Sequence, residues 1–594
     1  MVTIRVCTGS GCAMQGSLAV AERFEVAADH AGIADRVRVV RTGCHGLCER
    51  GPIVIVGEND VFYPLVTEEM ATAIIEHVAA TGELVVDGFL FRSPETGEPI
   101  TAYADVPFNA AQHRLVLGRC GHVDPEDIDD ALALGAYEGL KRVLATFEPD
   151  ALVEEMKASG LRGRGGAGFL TGQKWLFTRA APGEVKYVIC NADEGDPGAF
   201  MDRSVIEGDP HSVLEGMAVA AYAIGAHEGY VYVRAEYPLA VRRLRRAIES
   251  ARERGFLGED ILGSGFGFDV RIKEGAGAFV CGEETALMAS IAGDRGMPRV
   301  RPPFPATSGL WGKPTCINNV ETLANVSWIA MHGAEEYAAL GTSDSRGTKV
   351  FALTGKVRYS GLVEVPMGMT VRELVFDIGG GGQEGCTVKA VQIGGPSGGC
   401  LPVELFDTPI EYGALASVGA IVGSGGMVVV DEHTCMVDFA RYFLSFTQDE
   451  SCGKCVPCRI GTKRMLELVT RITEGRGADG DIEKLERLAR DVQRASLCAL
   501  GGTAPNPVLT TIRYFREEYE EHIREKRCRA GSCKELSRYV IDAELCKGCA
   551  VCKKHCPVGA IWGKVKEPHD ISQDRCIKCG ACAEHCPFDA ISKV

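Results

Sequence analysis

No run of this sequence approaches the roughly 20 unbroken apolar residues that a membrane-crossing helix needs, so no membrane span is expected. The first residues, MVTIRVCTGSGCAMQG, lack the basic segment followed by an apolar one that marks a secretory leader. Positive charge is scarce: 64 Lys and Arg stand against 80 Asp and Glu, and the net charge of −16 disfavours a phosphate-backbone partner. No nucleic acid is expected. What the chain has instead is cysteine, 25 residues, and glycine, 72 residues. So many cysteines without a leader point to a reducing compartment in which thiolates serve metals, and the expected location is cytoplasmic. The glycines cluster beside strands, which suits backbone approaching ligands better than linker.

At 594 residues the chain is too long for one core, and about 150 residues per domain suggests about four. The patterning predicts a multidomain α/β and α+β protein. Residues 1–90 alternate Val and Ile in VTIRV and PIVIVG around two helical stretches, giving a small α/β domain with cysteines at strand-to-loop junctions. Residues 91–114 lose periodicity and read as an extended linker draped on the next domain. Residues 115–340 alternate strands such as KYVICNA with helices such as PLAVRRLRRAIESARERG, an α/β domain. Residues 341–430 are a strand-rich α+β module, 431–520 a helical bundle, 521–540 a hinge, and 541–594 a cysteine-dense tail.

In that tail one pattern occurs twice, Cys546-x2-Cys549-x2-Cys552-x3-Cys556-Pro and Cys576-x2-Cys579-x2-Cys582-x3-Cys586-Pro. This is the spacing of a two-cluster ferredoxin, in which the fourth Cys of each run ligates the other cluster. The expected [4Fe–4S] sets are Cys546, Cys549, Cys552 and Cys586, and Cys576, Cys579, Cys582 and Cys556. A zinc module or disulfide scaffold is the plainer reading, but neither ordinarily repeats eight cysteines with these prolines.

The string Gly160-Leu-Arg162-Gly163-Arg164-Gly165-Gly166-Ala-Gly168 contains G-x-G-x-x-G, yet DALVEEMKASG, with helical patterning, precedes it where a dinucleotide fingerprint needs a strand. Its N–H groups, with Arg164 and Lys174 nearby, still suit a phosphate cradle; a flexible surface loop is the alternative. Asn191-Ala-Asp193-Glu194, Gly282-Glu283-Glu284-Thr285 and Asn318-Asn319-Val-Glu321-Thr322 carry amides and carboxylates able to hydrogen-bond a flavin or a ribose. Taken singly, each is more often a helix cap or a turn.

In their joint order GLRGRGGAGFLTGQKW, NADEGDPGAF, GEET, RPPFPA, NNVET and SCGKCVPCR resemble the flavoprotein subunit of respiratory complex I over about residues 115–520. The resemblance implies FMN lined by Gly163, Arg164, Gly165, Lys174, Asn191, Asp193, Glu194, Gly282, Glu283, Asn318, Asn319 and Thr322. It implies NAD(H) or NADP(H) lined by Phe169, Phe177, Glu284 and Phe304, with Asp193, Glu194 and Glu284 setting cofactor orientation and potential. Asp196 stands where the family has Glu and Arg301 where it has Lys, which leaves the choice between the two nucleotides open.

Cys452, Cys455, Cys458 and the distant Cys498 are then a third [4Fe–4S] set, with zinc as the alternative. Cys7, Cys12, Cys44 and Cys48 resemble a thioredoxin-like [2Fe–2S] domain; disulfides are disfavoured by compartment and by the lack of Cys-x-x-Cys. The 341–430 module is expected to be ubiquitin-like.

The whole layout resembles the diaphorase subunit of electron-bifurcating hydrogenases, shared with formate dehydrogenase subunits. It implies partners: a hydrogenase or formate dehydrogenase catalytic subunit, a small thioredoxin-like Fe–S subunit and a soluble ferredoxin. A non-catalytic electron wire with a decayed nucleotide site is the reading from another class.

Cys435, His522, Cys528 and Cys533 fall outside every cluster pattern and make a Cys3His set at the hinge, read as structural zinc. A fourth Fe–S centre or free thiols are the alternatives. Cys120, Cys190, Cys281, Cys316, Cys386 and Cys400 are expected to be small buried residues.

Overall fold

The computed structural model describes residues 1–94 and 96–593 and divides into two compact units, Met1–Val429 and Val430–Val594. The first unit begins with a four-stranded sheet of β1 (Val2–Cys7), β2 (Val37–Thr42), β3 (Val54–Val56) and β4 (Val61–Tyr63), in the order β2-β1-β3-β4. Helices Ser17–His30 and Glu68–Thr81 pack on it, burying Phe24, Ile74 and Ile75 against Ile4, Val54 and Tyr63. Thr67 accepts a hydrogen bond from Met70 N at the start of the second helix, and Gly82 closes it in the left-handed conformation.

The second sheet is fully parallel: β5 (Tyr187–Ala192), β6 (Glu228–Arg234), β7 (Asp269–Gly275) and β8 (Thr315–Asn319), in the order β8-β5-β6-β7. From β5 the chain steps outward to β6 and β7, then crosses back to lay β8 on the other flank of β5. That reversal opens a crevice outside the carboxyl ends of β5 and β8, the place where open α/β sheets bind ligands. Helix Pro210–Ile224, buried on nearly every face, forms the centre of this core with Val320–His332.

The third sheet runs β10-β9-β13-β11-β12, from β9 (Thr348–Gly355), β10 (Gly361–Pro366), β11 (Val388–Ile393), β12 (Gly399–Pro402) and β13 (Gly426–Asp431). Here the structure corrects the expectation for residues 91–114. The segment is not an extended linker draped on the flavin-motif domain. Phe91, Tyr103, Val106 and Phe108 are buried in the same core as Phe351, Tyr359 and Val363 of the third sheet. Phe62 N also donates to Thr101 O, so the segment is a wedge between the first and third sheets. Its aromatic residues, too few to show a period, are what bury it.

In the second unit, helices Met436–Asp449, Lys463–Thr473, Asp481–Ala495 and Asn506–Glu520 bury Leu444, Met465, Val469, Leu485 and Ile512 in one core. The tail has two short antiparallel pairings, Tyr539–Ile541 with Ile591–Lys593 and Ile561–Trp562 with Asp570–Ile571. Among the described residues no helix is long and apolar enough to cross a membrane.

Candidate functional site

The crevice at the strand reversal collects the sequence motifs from four directions. Asn191 lies near the end of β5, Asn318 and Asn319 end β8, and the glycine string runs between helices Pro149–Ala158 and Thr171–Ala180. A helix does precede the string, so its phosphate-cradling potential comes from loop conformation and not from a strand–turn–helix fingerprint. Thr322 Oγ1 accepts Arg164 N at 2.8 Å, which draws the string onto the start of helix Val320–His332. A side chain at Gly165 would put its Cβ 2.9 Å from Asn319 Cβ, so glycine is required for that approach. Helix Thr171–Ala180 opens without a side-chain cap, a place that favours an anionic group.

The polar motif residues are tied to one another. Asn191 Nδ2 donates to Gly282 O (2.9 Å), Trp175 Nε1 to Asn318 Oδ1 (3.2 Å), and Asn319 Nδ2 to Asp202 Oδ2 (2.5 Å). Three motif residues double as helix caps. Glu283 accepts Thr285 N and Ala286 N, Asn319 accepts Thr322 N, and Glu194 accepts Asp202 N and Arg203 N, both at 3.0 Å. Burial pushes Glu194 up to about 7, against the pull of those two N–H donors. Burial, with Ser424 and Arg234 opposing it, likewise raises Asp196 to about 6. The Asp193 side chain is fully buried, 3.7 Å from Arg234.

One expected contact does not survive. The Arg164 guanidinium is completely buried and turned inward, donating to Thr348 O, Arg162 O, Arg346 O and the Tyr337 hydroxyl. Its charge locks the glycine string to the third sheet's domain, and with its N–H given to Thr322, Arg164 offers a ligand neither guanidinium nor amide donor.

Lys174 behaves differently. Its Nζ donates to Glu284 Oε1 (2.5 Å) and Ile317 O (2.9 Å), and Arg301 approaches the other Glu284 oxygen at 3.7 Å. Of these three, Lys174 and Glu284 are half-buried and Arg301 is exposed. Beside them Phe169, Phe177 and Phe304 are 49%, 52% and 56% exposed, and the first two rings lie 6.5 Å apart. Three large aromatics left in solvent next to three charged groups are costly for folding alone and suit an aromatic, phosphate-bearing ligand.

Residues lying mostly outside any motif hold the site from behind. Tyr412 donates to Gly163 O (2.9 Å), Ser424 donates to Asp196, and Tyr237 donates to Glu194 O (2.6 Å). Glu321 pairs with the fully buried Lys349 and accepts Val350 N at 2.9 Å. Glu321 lies inside NNVET and was findable there. Tyr412 and Ser424 stand 249 and 228 positions downstream of their partners and carry no local signal.

The cysteine sets are also brought together. Cys44 and Cys48 sulfurs lie 3.5 Å apart, and the Cys12 thiol beside it, with burial, raises the Cys7 thiol well above its usual range. This region is bonded to the flavin-motif domain: Ser10 N and Oγ donate to Glu207 (3.0 and 2.6 Å), and Arg243 donates to Thr8 Oγ1 (2.7 Å). In the second unit burial, with Cys455, Cys498 and Cys452 close by, pushes the Cys458 thiol up to about 11. In the tail Cys546, Cys549, Cys552 and Cys586 line one apolar cavity, and Cys556, Cys576, Cys579 and Cys582 line another. These are the crossed sets that the spacing predicts, and apolar cavities each lined by four thiols fit iron–sulfur clusters. Of the six unassigned cysteines, five are buried and Cys386 is half-buried, a departure from the expectation.

Cys435, His522, Cys528 and Cys533 converge until their donor atoms all lie within 4.8 Å of one another, and all four are buried. Cys435 Sγ is 3.3 Å from His522 Nε2 and 3.7 Å from Cys533 Sγ. His522 Nδ1 sits 2.7 Å from Glu518 O, which directs Nε2 at the thiols.

Four family descriptions match the chain: thioredoxin-like [2Fe-2S] ferredoxin over residues 1–79, Nuo51 FMN-binding domain over 156–328, NADH-ubiquinone oxidoreductase-F iron-sulfur binding region over 438–522, and 4Fe-4S dicluster domain over 538–587. NADP-reducing hydrogenase subunit HndC of Solidesulfovibrio fructosivorans is 56% identical over 77% of this chain and 93% of its own length. An NADH-quinone oxidoreductase subunit of Rhizobium meliloti is 48% identical over 66% of this chain and 94% of its own. Among solved structures, a chain of NAD+-reducing [NiFe]-hydrogenase in the H2-reduced state superposes with a TM-score of 0.62 at 32% identity, covering 88% of this chain and 84% of that one. The chain therefore belongs to the family of FMN- and iron–sulfur-containing NAD(P)H oxidoreductase subunits, the diaphorases that NADP-reducing hydrogenase shares with NADH-quinone oxidoreductase.

Proposed function

We propose that this chain is the nucleotide-oxidising subunit of a hydrogenase complex, exchanging hydride with NAD(P)H at FMN and single electrons with a hydrogenase catalytic subunit and a ferredoxin, in bifurcation or its reverse. Bound in the crevice, FMN supplies the interconversion of hydride and single electrons, which no side chain here can perform. The residues of the chain place and enclose. Phe169, Phe177 and Phe304 offer rings to the adenine, while Lys174, Glu284 and Arg301 hold the sugar-phosphate part and fix its direction of entry. Asn191, Asp193, Glu194, Asn318, Asn319 and Thr322, with Gly163, Gly165, Gly282 and Glu283, wall the inner crevice, with their polar side chains held by the bonds given above.

The observation that carries this reading is the Lys174–Glu284–Arg301 group beside exposed aromatic rings, outside the carboxyl ends of β5 and β8. The hydrogenase assignment is supported by the relatives, one named an NADP-reducing hydrogenase subunit and one an NAD+-reducing [NiFe]-hydrogenase chain. A small thioredoxin-like Fe–S subunit completes the expected assembly. Anaerobic purification of the native complex tests it: a co-purifying hydrogenase chain and H2-dependent NAD(P)+ reduction are expected. A molybdopterin chain in its place, or no H2-dependent turnover, sinks the hydrogenase reading.

The Cys3His group is read as structural zinc. Thiolates around tetrahedral zinc stand roughly 3.7 Å apart, as Cys435 and Cys533 do, whereas a cubane holds its cysteines farther apart. Cys435 opens helix Met436–Asp449 and His522 ends the last bundle helix, while Cys528 and Cys533 lie on the chain leaving for the tail. One ion would pin the bundle's two ends to the base of the tail.

A further inference from the structure

The two lobes of the tail differ in charge. Residues 544–567 carry Lys547, Lys553, Lys554, Lys564 and Lys566 against Glu544 and Glu567, within a chain of net charge −16. Residues 570–589 reverse the balance, with Asp570, Asp574, Glu584 and Asp589 against Arg575 and Lys578. All five lysines of the first lobe are exposed, and among the described residues none is ion-paired with a carboxylate; Lys547 and Lys553 reach only the carbonyls of Glu544 and Gly563. Elsewhere in this unit Arg516, Arg524, Arg527, Arg529 and Lys578 meet carboxylates. These five exposed lysines form a basic rim on an acidic chain.

The same lobe exposes apolar surface and a cluster-set cysteine. Trp562 is 61% and Val565 71% exposed, and Cys549 is exposed at the rim of its cavity. An aromatic centre inside a charged rim is the anatomy of a small, transient protein interface. The other lobe, whose Cys579 is also exposed, is bonded along one side. Lys578 Nζ donates to Glu535 O (2.6 Å), and Gln573 Nε2 donates to Tyr539 O (2.9 Å), so the second cysteine loop is held against the chain arriving from the hinge.

We propose that residues 544–567 are the docking surface for a small acidic electron-carrier protein, which exchanges electrons at the Cys546–Cys549–Cys552 edge while the second lobe faces the hinge. The proposal rests on the reading that these cysteines hold a cluster. Each reduced carrier gives up one electron and leaves oxidised. Two such electrons and one proton from water convert NAD(P)+ to NAD(P)H, and no bond to the carrier forms.

The test uses the full-length, cluster-loaded chain and an acidic bacterial two-cluster ferredoxin as probe. Binding is measured by calorimetry at low and moderate salt, carboxylate–amine cross-links are mapped, and KM and kcat for carrier-driven NAD(P)+ reduction are determined. Lys553→Glu/Lys554→Glu/Lys564→Glu/Lys566→Glu is expected to weaken binding and raise KM about tenfold or more, with kcat little changed and the salt dependence lost. The matching Lys→Arg variant is expected to bind as the parent does. A Kd for the Glu variant within twofold of the parent, or cross-links mapping outside 544–567, overturns the proposal. So does binding of the lobe to vesicles containing anionic lipid with no binding of the ferredoxin. Iron analysis separates the two levels: a tail without iron defeats the cluster reading itself, whereas an iron-loaded tail indifferent to lysine charge defeats only the docking surface.

Discussion

Lys174 and Glu284 are the residues at which the proposed recognition of the nucleotide is most open to test. Each is partly in solvent and each pairs with the other, so neither is held in place by deep burial. Lys174→Met or Glu284→Gln should raise KM for NAD(P)H about tenfold, near 1.4 kcal/mol, while FMN content stays at the parent level. Steady-state kinetics with flavin quantitation checks this. Glu194 predicts a pH effect on stability. Burial raises its folded-state pKa to about 7, above the unfolded value of 4.5, so the folded form binds the proton more tightly. Its contribution is then full below about 4.5 and is lost as pH rises through about 7, by about 3 kcal/mol at most. Thermal unfolding between pH 4.5 and 7.5 should show this decline, and Glu194→Gln should flatten it.

Between elements, what holds the site is the grip of the third sheet's domain on the glycine string. Tyr412 bonds Gly163 O and its ring fills the space beside Gly168; Arg164 and Lys349 bring buried charge to the same seam. Lys349→Met leaves Glu321 buried and unpaired, and should destabilise the first unit by about 3–5 kcal/mol, seen in its unfolding transition; Lys349→Met/Glu321→Gln should recover part. Much of this was visible beforehand in outline. The alternating apolar residues of β1 and the period of helix Pro238–Glu253 mark elements because one face of each is apolar, and β3 is marked by being apolar on both. Cysteine spacing predicted which four thiols share a cavity, because short loops leave little choice of partner. Arg164 misled, since a charged residue in a glycine string looks like a phosphate ligand until the carbonyls of Arg162, Thr348 and Arg346 surround it. Residues 91–114 misled for the opposite reason: isolated aromatics have no period, yet they supply the wedge between two sheets.

In the molecule as a whole, the nucleotide motifs lie in the first unit and the proposed outlet in the second, with the proposed zinc site at the base of the tail. Metal analysis of the intact chain should find one zinc, and Cys533→Ser should lose it while iron content is retained. Anaerobic titration of the isolated, flavin-loaded chain with NADH and with NADPH decides whether its nucleotide site works. At least one nucleotide is expected to bleach the flavin absorbance and to support reduction of a viologen dye. Flavin that neither nucleotide bleaches would contradict the proposed function, leaving the chain an electron wire without a working nucleotide site.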